Sequence, residues 1–156
     1  MTDNIQTIYF DSIIPELKAT NVKQIFQTLS SHINRIIGTP EKNLLENFIQ
    51  NERQESSAIG DGVAIVEMRL PRLTKPFVIF TKLSNDVDLK AIDDEPVDLI
   101  CTILSPEHED VPHLQRLAKI TRAFKNSKFC RDLRESKTID DIRFCVQKMN
   151  EQRAAA

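Results

Sequence analysis

Glu67 closes a short run that begins at Gly60-Asp61-Gly62 and passes through Val63-Ala64-Ile65-Val66. Two glycines one residue apart permit a tight turn or positive φ ahead of a strand. The Glu67 carboxylate offers three roles: a solvated acid, a fixed negative charge, or a nucleophile that takes a phosphoryl group as an acyl phosphate. Arg69 lies two residues on and shares the face of Glu67 if the strand continues. It reads as a neutralising charge for Glu67 or an incoming anion, or as a solvated strand-end residue. His113, at the start of an expected helix, is suited to proton or phosphoryl chemistry, and equally to a surface or capping role. His32 and His108 take no role. Cys101, Cys130 and Cys145 are odd in number and widely spaced, with no C-x-x-C pair, so they read as free thiols in a reducing compartment.

The elements that must position these residues follow from hydrophobic spacing. Val22, Ile25, Phe26, Leu29, Ile33 and Ile36 fall at helical intervals, with Thr20 or Asn21 to cap the start and Gly38 to end it. Thr39-Pro40 then opens a second helix, with proline at its first position and Leu44, Leu45, Phe48 and Ile49 on its buried face. Three strands are expected at Val63–Val66, Phe77–Phe80 and Val97–Leu104. These runs are short and apolar, and prolines stand only at their edges. A helix from Val111-Pro112 should bury Leu114, Leu117, Ala118, Thr121 and Phe124. A short segment at 127–135 follows. Thr138 with Asp141 then makes a capping-box variant for a last helix that buries Ile139, Ile142, Cys145, Val146 and Met149. Residues 152–156 are expected to fray. Helices before and after a run of strands argue a three-layer α/β/α sandwich, with helices on both faces of a central sheet. One domain over 1–156, with its core at about 6–150, is the expected organisation.

Several pieces of this pattern share one resemblance. Gly60-Asp61-Gly62-Val63-Ala64-Ile65-Val66-Glu67 is similar to the phosphoryl-acceptor segment of the type-2 EIIA domains of the bacterial phosphotransferase system, roughly G-x-G-(I/V)-A-(I/V)-P-H. The resemblance implies that the amides of Gly60 and Gly62 line a phosphate site, a reading compatible with the turn. Ala91 to Ile100, with Pro96-Val97-Asp98-Leu99-Ile100, resembles the turn that enters a core strand of that family, and Ser105-Pro106-Glu107 its exit. His113-Leu114-Gln115-Arg116-Leu117-Ala118 resembles the H-L-x-x-L-(A/S) helix. Phe129 to Arg134 with Thr138 to Ile142 resembles the closing helices. The length and order of the pieces are nearest the nitrogen-regulatory, PtsN-like branch. The resemblance implies the mixed sheet of the mannitol and nitrogen-regulatory EIIA folds. In the family the phosphorylated histidine is accompanied by the H-L histidine and by an arginine sixteen residues upstream in an R-E pair. Here those positions hold Glu67, His113 and Asn51, with Glu52 retained.

Phosphoryl transfer through histidine needs an unprotonated ring nitrogen as nucleophile, and cations or amides to stabilise the transferring oxygens. By this resemblance both the acceptor nitrogen and the clamping charge are missing, so the expected protein is regulatory and works by binding. The implied partners are proteins: an HPr-type carrier, or a regulated kinase, transporter or enzyme. The partner surface would comprise Glu67, His113, Asn51, Gly60, Gly62 and Arg69. The alternatives are an active phosphocarrier that accepts on Glu67 or His113, and a purely structural domain. No cofactor or metal is expected.

The bulk numbers narrow the remaining classes. A net charge of −2 supplies no field to attract nucleic acid. The basic positions from Lys119 to Arg134 read as a solvated face. No apolar run approaches the roughly 20 residues that span a bilayer, and the start, Met1-Thr2-Asp3-Asn4, lacks a signal pattern. A cytoplasmic protein is expected.

Overall fold

The computed structural model describes residues 7–155, with side chains through Arg153, so the amino-terminal residues read for a signal lie outside the described part. The order of elements is β1 (Ser12–Leu17), α1 (Val22–Ile37), α2 (Glu41–Gln54), β2 (Ala58–Gly60), β3 (Val63–Leu70), β4 (Phe77–Val87), β5 (Val97–Pro106), α3 (Val111–Phe124), α4 (Ser127–Glu135) and α5 (Ile139–Ala155). The sheet runs β1-β4-β5-β3-β2. It is mixed: β1 lies parallel to β4 and β3 parallel to β5, while β4–β5 and β2–β3 are antiparallel.

Strand alternation divides the core in two. Val63 and Ile65 of β3 join Leu99, Cys101 and Ile103 of β5 beneath α3, α4 and α5. Ala64, Val66, Met68 and Leu70 join Ile100 and Leu104 beneath α1 and α2. This is the expected three-layer α/β/α arrangement. Stacked Phe10 and Phe80, with ring centroids 5.0 Å apart, fill one layer, and Phe26 and Phe48, at 5.1 Å, fill the other.

Local signals set most helix ends. Asn21 Oδ1 accepts from the Gln24 amide at 2.9 Å, and Gly38, at φ 90°, donates its amide to Asn34 at 2.8 Å. Thr138 Oγ1 accepts from the Asp141 amide, and Asp141 Oδ2 accepts from the Lys137 and Thr138 amides. Those amide bonds hold the Asp141 carboxyl below its ordinary value. Lys82 Nζ donates to the carbonyls of Arg134 and Ser136, satisfying the last turn of α4.

Several expectations are corrected. Pro40 is the residue before α2, with ψ 131°, rather than its first helical position. Strands β3, β4 and β5 run longer than their apolar cores, because polar residues continue the pairing. β1 was not expected; it carries Pro15, and its register with β4 shifts between Ile14 and Leu17, where an edge strand tolerates a proline. β2, also unforeseen, is only three residues long. Leu114 and Ala118 are exposed; α3 instead buries His113, Ile120, Ala123 and Phe124. Ile36 and Ile139 are likewise exposed, each at the end of its helical stripe. α5 continues to Ala155, where fraying was expected from 152.

Candidate functional site

Glu67 and Arg69 sit on β3 opposite Ile103 and Ser105 of β5. Parallel pairing brings the carboxyl ends of both strands to one edge of the sheet, where open α/β folds place their ligands. Since the side chains of β3 alternate, Glu67 and Arg69 point with Val63 and Ile65 toward the α3 layer. The chain leaves β5 at Pro106, turns, and starts α3 at Val111, so the first turn of α3 passes over both strand ends. His113 is in that turn and is 1% exposed.

A chain of hydrogen bonds follows. His113 Nε2 lies 3.0 Å from Glu67 Oε1, and His113 Nδ1 lies 2.7 Å from Ser105 Oγ. Arg116 Nη1 donates to Ser105 Oγ at 2.9 Å and to Glu109 Oε1 at 2.7 Å. A carboxylate only accepts, so Nε2 carries the proton given to Glu67. Ser105 Oγ takes a hydrogen from Arg116 and is also partnered with His113 Nδ1, so every group between Glu109 and Glu67 has a hydrogen-bond partner.

Arg69 does not neutralise Glu67. Its Nη1 pairs with Asp110 Oδ1 at 2.8 Å. Asp110 precedes α3 and makes no side-chain cap bond, its carboxylate being given to Arg69. Asn51 is exposed on α2, and Glu52 beside it accepts from the Ser57 amide at 3.1 Å. Asn51, Glu67 and Arg69 all line one cleft of about 700 Å³, together with Phe48, Glu52, Met68, Leu117 and Thr121. The side chain of Glu67 is 47% exposed, while His113 lies behind it.

Gly60 and Gly62 do not join this cleft. Five residues of strand, roughly 16 Å, separate Gly62 from Glu67. Gly60, Asp61 and Gly62 have φ of 103°, 57° and 78°. Three positive values in succession explain the glycines as a turn. Arg134 fills the space beside it. Its Nε donates to Asp98 Oδ2 at 2.8 Å, and its Nη2 to Asp98 Oδ1 at 2.9 Å and the Asp61 carbonyl at 2.7 Å. These bonds to Asp98 hold the guanidinium charged even more firmly than usual. A Cβ on Gly62 would stand 2.7 Å from Arg134 Nη2. The Asp61 amide is committed to Asp93 Oδ2 at 2.8 Å, and the amides of Asp61 and Glu95 keep the Asp93 carboxyl below its ordinary value. The turn at the glycines is therefore braced by Asp93 and Arg134, and with them Asp61 and Gly62 line a second cleft of about 750 Å³.

Sequence reasoning missed Ser105, Glu109, Arg116 and the Asp98–Arg134 pair. Ser105 alone left a signal: it is polar at the inward register of Leu99, Cys101 and Ile103. Among the described residues no group of three or more His, Cys, Asp or Glu side chains is poised to hold a metal. No helix of the described part is long and apolar enough to cross a membrane.

The geometry can be set beside known proteins. Residues 8–149 match the family model described as "Phosphoenolpyruvate-dependent sugar phosphotransferase system, EIIA 2". A nitrogen regulatory protein of Bradyrhizobium diazoefficiens is 35% identical over 132 residues, 85% of this chain and 86% of that protein. Among solved structures, nitrogen regulatory protein IIA-Ntr from Neisseria meningitidis superposes with a TM-score of 0.80 at 22% identity, covering 87% of this chain and 92% of that one. Enzyme IIAMTL of Escherichia coli, solved in complex with phosphorylated enzyme IIBMTL, superposes at 0.71 with 16% identity, covering 91% and 98%.

Proposed function

The chain belongs to the EIIA type-2 family of the phosphoenolpyruvate-dependent sugar phosphotransferase system, and from that premise we propose that it regulates by binding a protein partner and carries no phosphoryl group. It is a nitrogen-regulatory EIIA-type protein. The observation that carries the proposal is the Glu67–His113 hydrogen bond of 3.0 Å. It puts a fixed carboxylate where the family resemblance expects the acceptor histidine, against the companion histidine. His113 is a poor acceptor in its own right, since it is buried and both ring nitrogens are engaged. Phosphorylating either nitrogen would break a bond and bring a charge of about −1.5 to −2 into a buried site. Among the described residues that line the cleft, the cation beside Glu67 is Arg69, which pairs with Asp110, and Asn51 is neutral, so no free positive charge is offered to a transferring group.

What remains is a carboxylate at the mouth of a cleft, carrying one charge where a phosphohistidine would carry more. We therefore assign the partner surface to the rim formed by Glu67, Asn51 and Arg69, with His113 fixing the carboxylate from behind. Gly60 and Gly62 act at a distance by bracing β3. The complex of IIAMTL with IIBMTL is of a kind with this proposal, since that relative meets a protein partner. Two measurements test it. The chain is incubated with phosphoenolpyruvate and the purified upstream carriers, and its intact mass is read; a stoichiometric phosphoryl gain would overturn the proposal. Partner recovery is then compared between the native chain and Glu67→Gln, with loss expected in the variant and equal recovery counting against Glu67.

A further inference from the structure

The cleft at Glu67 has an unusual floor. Ile65, Val66, Glu67, Met68 and Arg69 all line it. Side chains of successive strand residues point to opposite faces of a sheet, so five in a row can share one cavity only where the strand presents its edge. Among the described residues that edge has no strand partner beyond β2. β2 covers only the beginning of β3, with Ala58 opposite Ala64 and Gly60 opposite Val63. The last outward bond runs from the Ile65 amide to the Ser57 carbonyl at 3.0 Å. Outward-pointing groups recur every second residue, so the amides and carbonyls of Glu67 and Arg69 face the cleft as Ile65 faces Ser57.

Resting on the reading of the cleft as a partner surface, we infer that the partner enters as an extended peptide segment that continues the sheet along Glu67–Arg69, with a basic side chain over Glu67. The chemistry of the walls selects this occupant. Acids line both walls, Glu52 and Glu55 at the end of α2 and Glu67 toward α3, while Arg69 is paired with Asp110 and the floor between them is the buried apolar surface of Val66 and Met68. A strand that alternates apolar and basic residues sets a cation over Glu67 and lays its other face along that floor. A second copy of this chain does not fit, because the edge is recessed between α2 and α3 and two recessed edges cannot meet. Charged residues along the open edge also discourage indiscriminate pairing. Main-chain bonds would give the affinity and alternate side chains the selectivity.

The test uses an acetylated, amidated heptapeptide, Val-Thr-Val-Lys-Val-Thr-Val, added to the full chain. Binding is expected to slow amide hydrogen exchange at Glu67 and Arg69. Two N-methylated versions, one modified at odd and one at even residues, report on parity. One should bind like the parent and the other should lose about tenfold or more, since it forfeits the bonds to the strand. Replacing the central lysine by glutamate should also abolish binding. Failure of the parent peptide, equal binding by both methylated forms, or unchanged exchange at Glu67 and Arg69 would each overturn the inference. Uptake of a phosphoryl group by a chain that still binds the peptide in this way would instead remove the regulatory reading and leave the strand addition standing.

Discussion

The two ends of β3 carry the two halves of one sequence motif and are built on opposite terms. At the amino end, Gly60-Asp61-Gly62 spends polar groups on the chain itself: on Asp93 through the Asp61 amide, on Arg134 through the Asp61 carbonyl, and on Asp98 and Leu99 through the Gly62 carbonyl. At the carboxyl end, Glu67 is held from behind by His113 and presents its free side to a cleft. A polar group that is fully engaged contributes order, whereas one that is fixed and half exposed is positioned for a partner. On the proposed function the glycines serve stability and the carboxylate recognition, although the two lie in one continuous stretch of chain.

Breaking the amino end should have the largest effect on folding. Gly62→Ala puts a Cβ against Arg134 and Asp98 at φ 78°, and should lose about 2–4 kcal/mol in urea unfolding. A loss near zero would return the glycines to a role in binding. His113→Ala comes next. It removes two hydrogen bonds from a buried position, and a thermal melt should report about 1–3 kcal/mol of destabilisation.

An alkaline titration separates the two ends further. Burial, the leading cause, pushes the Cys130 thiol up to about 11 from 9.0, with Arg134 opposing and Asp98 and Asp61 adding to the rise. A raised folded value means that the native state holds this proton more tightly, so its contribution is complete below about pH 9 and is lost as pH rises toward 11. Stability should fall across that window, and Cys130→Ala should flatten the fall; an unchanged slope would rule out the buried Cys130 thiol as its cause. The smallest effect on folding belongs to Glu67→Gln, which should stay within about 0.5 kcal/mol of the native chain because the carboxylate is half exposed. Stability that is kept while partner recovery is lost is the signature of the carboxyl end.

Legibility in the sequence followed the range of the interactions. The cap at Asn21, the left-handed Gly38 and the Thr138–Asp141 box were readable because each involves residues three or four apart. The stripe of α1 and the apolar cores of β3, β4 and β5 were readable from periodicity. β1 was not, since Pro15 interrupts a strand that only pairing with β4 makes regular. Leu114 read as core by spacing, yet α3 turns His113 inward instead, because Ser105 and Glu67 satisfy both ring nitrogens beneath it.

Chemical types and local conformations were therefore the sequence's own contribution: a carboxylate after an apolar strand, a histidine at a helix start, a turn that only glycines relieve. Which of them meet was decided by the sheet. Glu67 and His113 are 46 residues apart and touch only because β3 lies parallel beside β5, with α3 returning over their ends. Asp98 and Arg134, 36 residues apart, meet only where α4 crosses the start of β3. Strand order and register are set by how two apolar layers close over one sheet, a property of the whole chain that no window of neighbouring residues contains.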